Sequence, residues 1–243
     1  MMPSCKFIVS LALTVLISGC VHLGTERPIE PRQVIIEQRA SNCSEIDESC
    51  PLVNIDTQVF ADEPALNVMI DLRLREMTAN SPNATVPASL DRYKQQFLAN
   101  AERGWSSYLQ AKLTDQYDSM LVVELSSYLF TGGAHGMPGR GFINYDRVQD
   151  RELKLADVLL PGKEGAFWRV AAKAHQQWLF ANGHDADFSR QWPFQQTANV
   201  ALLHDKVLLK YDVYSIAPYS SGHPILEIPY EALGGILRRV PLD

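Results

Sequence analysis

The residues best suited to chemistry gather in two stretches rich in glycine and tyrosine. The first, Tyr128-Leu129-Phe130-Thr131-Gly132-Gly133-Ala134-His135-Gly136, continues a strand-like pattern. Glycine-rich turns after strands can cradle phosphate, but this one lacks the Lys-Ser/Thr of a P-loop and the spacing of a dinucleotide fingerprint. No helical pattern follows it, so no helix N-terminus stands ready for an anion. The stretch reads as a wide hairpin connection whose glycines take positive φ angles, with His135 as a polar contact or a structural anchor. The second stretch sets Tyr211, Tyr214, Tyr219 and Tyr230 among Pro218, Pro224 and Pro229. Tyrosine combines rigid area with a polar tip, which suits core edges and binding surfaces alike. His135, Tyr214 and Tyr219 are therefore the candidate ligand-binding residues.

Catalytic and metal chemistry find less support. The six histidines, at 22, 135, 175, 184, 204 and 223, form no H-E-x-x-H or H-x-H pair. A metal site would have to assemble from distant residues such as His135, His223 and Asp205. Neither G-x-S-x-G nor S-x-x-K occurs, and the acidic pair Asp62-Glu63 lies in a polar, turn-like segment. No catalytic residue, metal or cofactor is expected. The 28 acidic and 22 basic residues give a net charge of −6 without any long basic run. Phosphate neutralisation needs clustered Lys and Arg, so nucleic acid is not an expected partner.

The first residues are a targeting signal and not part of the fold. Lys6 precedes the short apolar run Phe7 to Ile17, which ends in Ser18-Gly19-Cys20. The run is too short to span a bilayer and has the form of a secretory h-region. Ile17-Ser18-Gly19-Cys20 resembles a bacterial lipobox, in which the cysteine is acylated and becomes the mature N-terminus. Cys20 is then the lipid anchor to the membrane, and Val21 rather than Asp after it, by resemblance to Gram-negative lipoproteins, implies the outer membrane, facing the periplasm. Loss of residues 1–19 removes one Lys and no acid, taking the net charge to −7. In that oxidising compartment Cys43 and Cys50 are expected to pair as a disulfide closing a short loop.

The elements that must position these side chains follow from periodicity. Residues 21–42 read as a tether. Val53 to Phe60 and the alternating run Leu66 to Leu74 read as a hairpin turning at Ala61-Asp62-Glu63-Pro64. A helix of about 25 residues is expected from Ser89, bent at Gly104. Tyr117 to Phe130 and Phe142 to Val148 form a second hairpin around the glycine-rich stretch. Further on come a short helical turn over Leu153 to Leu160 and a helix over Glu164 to Phe180. The tight hairpin at His204-Asp205-Lys206 follows, then a strand over Pro224 to Ile228 and a terminal helix over Pro229 to Arg238. The fold class is α+β, mainly antiparallel sheets packed against helices.

Three segments together resemble a known family: Tyr128 to Gly136; Leu153-Lys154-Leu155-Ala156-Asp157-Val158-Leu159; and Tyr214-Ser215-Ile216-Ala217-Pro218-Tyr219 with Gly222 and Ile228-Pro229-Tyr230-Glu231-Ala232-Leu233. Their order is similar to that in the extracytoplasmic domain of RsiV-type anti-sigma factors, also found in PdaC-type peptidoglycan deacetylases. The resemblance covers residues 53 to 238 and implies two adjoining subdomains, PdaC-like over 53–145 and RsiV-like over 146–243. They stand behind a signal peptide (1–19) and a tether with a disulfide loop (20–52). It also implies a cell-envelope binding module whose ligand is a protein or glycan, a lysozyme-like muramidase first and peptidoglycan next. No sigma-binding segment precedes the apolar run and no deacetylase domain follows residue 238, so neither of those activities is expected. An envelope enzyme acting on peptidoglycan and an immunity or accessory protein against an exported toxin are the alternatives.

Overall fold

The computed structural model describes residues 28–41, 43, 47–79, 84–238 and 240. Its first sheet has six strands in the order β1 (Arg32–Arg39), β2 (Leu52–Val59), β3 (Ser106–Tyr117), β4 (Met120–Phe130), β5 (Met137–Asp146) and β6 (Arg151–Glu152). All neighbours are antiparallel except β2 and β3, which run parallel because helices α1 (Pro64–Met77) and α2 (Leu90–Asn100) fill the crossover between them. The tether expected over residues 21–42 thus contains an edge strand. Its β-branched run Val34-Ile35-Ile36 pairs with β2.

The alternating run at Leu66 to Leu74 is a helix and not a strand. Leu66, Ile70 and Leu74 also recur every fourth residue, and these three are buried while Val68 and Leu72 stay 68% and 41% exposed. Pro64 sits in the first turn, where its missing N–H costs nothing, so the expected hairpin turn is a helix start. The long helix expected from Ser89 stops at Asn100. Ser89 caps it, accepting the Arg92 N–H at 3.1 Å. Gly104, at φ +83, turns the chain into β3. There Ser107, Leu109 and Ala111 alternate inward. Helix α1 packs Leu66, Ile70 and Leu74 onto Val53, Ile55, Leu121, Val123 and Ile143.

The second sheet is antiparallel, ordered β7 (Val200–Leu202), β8 (Lys206–Lys210) and β9 (Ile225–Pro229). It follows a short helix α3 (Leu155–Val158), a long helix α4 (Glu164–Ala181) and α5 (Ala186–Gln191). Phe167, Ala171 and Ala174 of α4 share a core with Val207, Leu209, Leu226 and Ile228. Instead of a terminal helix, Tyr230–Leu233 makes one 3₁₀ turn, broken where Gly235 takes φ +69.

Asn144 on β5 joins the two sheets. Its side chain, 3% exposed, donates to the Val200 carbonyl at 2.9 Å and accepts the Leu202 N–H at 2.7 Å. Around it, Val122 and Phe142 pack against Ala201 and Leu203. The Tyr117 hydroxyl donates to the Leu202 carbonyl at 2.9 Å, and the Asp115 carboxylate accepts both the His204 backbone N–H and a contact from its ring. No described helix is long and apolar enough to cross a membrane. The signal run and Cys20 lie outside the described residues.

Candidate ligand-binding site

The β4–β5 connection carries Gly132 and Gly133 at φ +93 and +91, conformations that only glycine adopts cheaply. It returns through Gly136, whose N–H donates to the Tyr128 hydroxyl at 3.1 Å and whose carbonyl accepts the Tyr219 hydroxyl at 3.0 Å. A side chain at residue 136 would meet the Tyr128 hydroxyl at 2.7 Å and the Leu129 carbonyl at 2.8 Å. One loop of the first sheet is thereby clamped to the β8–β9 connection of the second.

The clamp presents His135. Its imidazole stacks on the Tyr219 ring, with centroids 3.7 Å apart and planes 18° from parallel. His135 Nε2 lies 3.3 Å from the Tyr214 hydroxyl, and Nδ1 lies 3.3 Å from the Gly136 carbonyl. One neutral tautomer, with the proton on Nδ1, satisfies both contacts: Nδ1–H donates to the carbonyl and Nε2 accepts from Tyr214. The three candidate residues of the sequence reading therefore form one cluster.

Tyr214 holds φ +65, a left-handed conformation unusual for an aromatic residue, yet its side chain is 48% exposed. The surrounding loop is well held. Asp212 accepts the Arg140 backbone N–H at 2.9 Å, buried Tyr211 donates its hydroxyl to the Gln195 carbonyl at 2.9 Å, and His223 contacts the Tyr211 carbonyl at 2.9 Å. Beneath it Lys210 pairs with Glu124 at 2.5 Å. Burial pulls the Arg140 guanidinium below its ordinary value and does the same to the His223 imidazole.

The exposed surface extends past the cluster. Tyr128 packs against Tyr108 with centroids 6.2 Å apart, and Tyr108 and Met137 are 41% and 53% exposed. A cavity of about 400 Å³ opens beside them, lined by Tyr93, Ser107, Tyr128, Thr131 and Met137. The arrangement offers stacking faces with hydroxyl and imidazole tips. The described contacts of His135 are the Gly136 carbonyl, the Tyr214 hydroxyl and the rings of Tyr214 and Tyr219. Among the described residues no group of three His, Cys, Asp or Glu could hold a metal, so His135, His223 and Asp205 do not assemble into one. Cys43 and Cys50 form a disulfide, with Cα atoms 5.8 Å apart.

The sequence shows Tyr128 only as the start of the glycine-rich stretch and gives no sign that Tyr108 shares its surface. Tyr128 looks there like any residue of an alternating strand, and only its place four residues before Gly132 hints at a role.

Fold and site together define a two-sheet α+β module that shows aromatic side chains at the seam between its halves. A family model described as "protein of unknown function (DUF3298)" matches residues 156–231. The crystal structure of a DUF3298 family protein from Pseudomonas aeruginosa PAO1 is 54% identical, covers 88% of this chain and 97% of its own, and superposes with a TM-score of 0.83. A DUF3298 member from Bacteroides fragilis NCTC 9343, 20% identical over 88% of this chain and 95% of its own, shares the fold with a TM-score of 0.66. No curated protein matches the chain. The chain belongs to the DUF3298 family.

Proposed function

We propose that this chain is a non-enzymatic lipoprotein of the cell envelope whose RsiV-like module binds a protein or glycan ligand at the His135–Tyr214–Tyr219 surface. A lysozyme-like muramidase is the first candidate ligand and peptidoglycan the second. The observation that carries the reading is Tyr214: an aromatic side chain held at φ +65 and half exposed. Strain of this kind costs on the order of 1–3 kcal/mol and persists where the surroundings impose it, often at ligand clamps. Exposed tyrosine is among the residues that most often anchor interface hot spots, and methionine is enriched at interface cores. The net charge of −7 left by a cleaved signal, one Lys fewer than the full chain, would speed encounter with a cationic lysozyme.

Anchoring belongs to the same proposal. Acylated Cys20 holds the module on the outer membrane, facing the periplasm. Replacing it, Cys20→Ala, is expected to release the protein from the membrane fraction or leave it as unprocessed precursor. Unchanged fractionation together with unchanged mass contradicts the anchor. Ligand binding is tested separately by calorimetric titration of the protein with lysozyme and with soluble peptidoglycan fragments, beside a peptidoglycan hydrolysis and deacetylation assay. Saturable binding without turnover is the expected result. Turnover abolished by His135→Ala would overturn the non-enzymatic reading.

A further inference from the structure

We infer that a second copy of this chain pairs antiparallel along β1, joining two six-stranded sheets into one continuous sheet. Strand β1 stands at one end of the sheet order and bonds to β2 through eight consecutive residue pairs, from Arg32 opposite Val59 to Arg39 opposite Leu52. Among the described residues no strand pairs with its outer side. Such an edge offers a row of unpaired N–H and C=O groups, which proteins ordinarily blunt with proline, charged side chains, a bulge or a very short strand. The strand Arg-Gln-Val-Ile-Ile-Glu-Gln-Arg has no proline, lysine or bulge and keeps its register with β2, and its charges, Arg32, Glu37 and Arg39, flank an uncharged centre at Val34-Ile35-Ile36.

Its centre is apolar on both faces. Ile36 lies opposite Ile55, whose side chain belongs to the core beneath α1, and is 38% exposed. Ile35 lies opposite Asp56 on the other face and is 58% exposed. Apolar residues on both sides of a strand fit an interior position better than an edge.

The strand's own sequence selects a second copy as the occupant. If the helix-bearing faces of the two sheets are to stay on one side, opposed residues must have the same parity, because side chains alternate across a strand. Centring the two-fold axis on Ile35 sets Ile35 against Ile35, Val34 against Ile36, Gln33 against Glu37 and Arg32 against Gln38. Every apolar residue then meets an apolar one, and no like charges oppose. Moving the axis to Val34 sets Arg32 against Ile36 and Gln33 against Ile35. Moving it to Ile36 sets Ile35 against Glu37 and Val34 against Gln38. Only the Ile35 register is self-complementary, as an isologous contact requires.

The test is a cross-link in cells expressing the full chain. Residues opposed in an antiparallel pair have Cα atoms about 4.5–5.5 Å apart, within disulfide range. Ile35→Cys is therefore expected to give a dimer on a non-reducing gel after mild copper–phenanthroline oxidation. The unsubstituted chain is expected to give none, and so is Phe180→Cys, whose site on α4 is 87% exposed. No dimer from Ile35→Cys, or an equal yield from Phe180→Cys, would overturn the inference, as would a covering strand from another protein or from this chain's own N-terminal residues that blocks the bond. In light scattering of the purified chain in detergent, Ile35→Lys opposes two ammonium groups at the axis and is expected to weaken self-association by roughly tenfold or more. A chain that is monomeric throughout, or a dimer that survives Ile35→Lys, contradicts the pairing.

Discussion

His135 and Tyr219 stack ring on ring, 3.7 Å between centroids, although one belongs to a loop of the six-stranded sheet and the other to a loop of the three-stranded sheet. The contact is possible because the sheets are fixed to each other elsewhere, through Asn144 and the small apolar cluster around Phe142. The exposed rings are therefore carried on a rigid frame even though the residues themselves sit in loops. That combination suits recognition, because little conformational freedom remains to be lost on binding.

The glycine loop should separate backbone needs from side-chain needs. Gly132→Val or Gly133→Val is expected to lower stability by ~1–3 kcal/mol, because positive φ strains any L side chain there even though the surrounding space is open. Gly136→Ala has a different cause, collision with Tyr128 and the Leu129 carbonyl, and should cost at least ~1 kcal/mol. His135→Ala, on an exposed ring, should cost under ~1 kcal/mol. Urea unfolding of the four variants checks the order.

Asn144→Leu should uncouple the two sheets. The substitution leaves the buried Val200 carbonyl and Leu202 N–H without their side-chain partner, and each loss costs about 1–3 kcal/mol. A total near ~3 kcal/mol is expected. Hydrogen exchange should show the loss concentrated in β7 and in the Tyr214–Tyr219 loop. Uniform exchange across both sheets would contradict the role given to Asn144.

Acid should destabilise the second half first. His175, on α4 and 3% exposed, has no hydrogen-bond partner for Nε2 among the described residues, and burial lowers its pKa, with nearby His184 adding to the effect. A histidine depressed in the folded state binds its proton more readily when unfolded. Its neutral form therefore supports the fold above the ordinary value of 6.5, and stability falls as pH drops below it. His223 works in the same direction, again chiefly through burial. His204 works oppositely: the hydrogen bond to Asp115 raises its pKa, a contribution present at low pH and lost as pH rises through the folded value. His175→Gln should flatten the decline in melting temperature between about pH 6.5 and 5. An unchanged slope would assign the acid sensitivity elsewhere.

The sequence makes α4, the β4–β5 hairpin and the turn at His204-Asp205-Lys206 readable, because each has one dominant period or a strong turn signal. It misleads at Leu66 to Leu74, where apolar residues at every second position also fall at every fourth. Burial of Leu66, Ile70 and Leu74 decides for the helix. It misleads again at Ser89 to Leu113, where helical spacing runs on into a strand and the break at Gly104 looks like a bend. At the site, the residue types were readable at His135, Tyr214 and Tyr219, but their contact was not, since it depends on how the two sheets dock. Asn144 left only a faint signal, a polar residue within the apolar run Phe142 to Tyr145.

The most direct test of the proposed site is the calorimetric affinity for lysozyme of the parent protein beside Tyr214→Ala and Tyr214→Gly. Glycine relieves the positive φ and should hold or raise the melting temperature, by up to ~1 kcal/mol of stability, while removing the ring. Alanine removes the ring and keeps the strained backbone. If Tyr214 is a binding residue, both variants lose affinity by at least ~10-fold, about 1.4 kcal/mol, whatever their stability does. Lysozyme that binds all three proteins equally, or none of them, would contradict lysozyme recognition at the His135–Tyr214–Tyr219 surface.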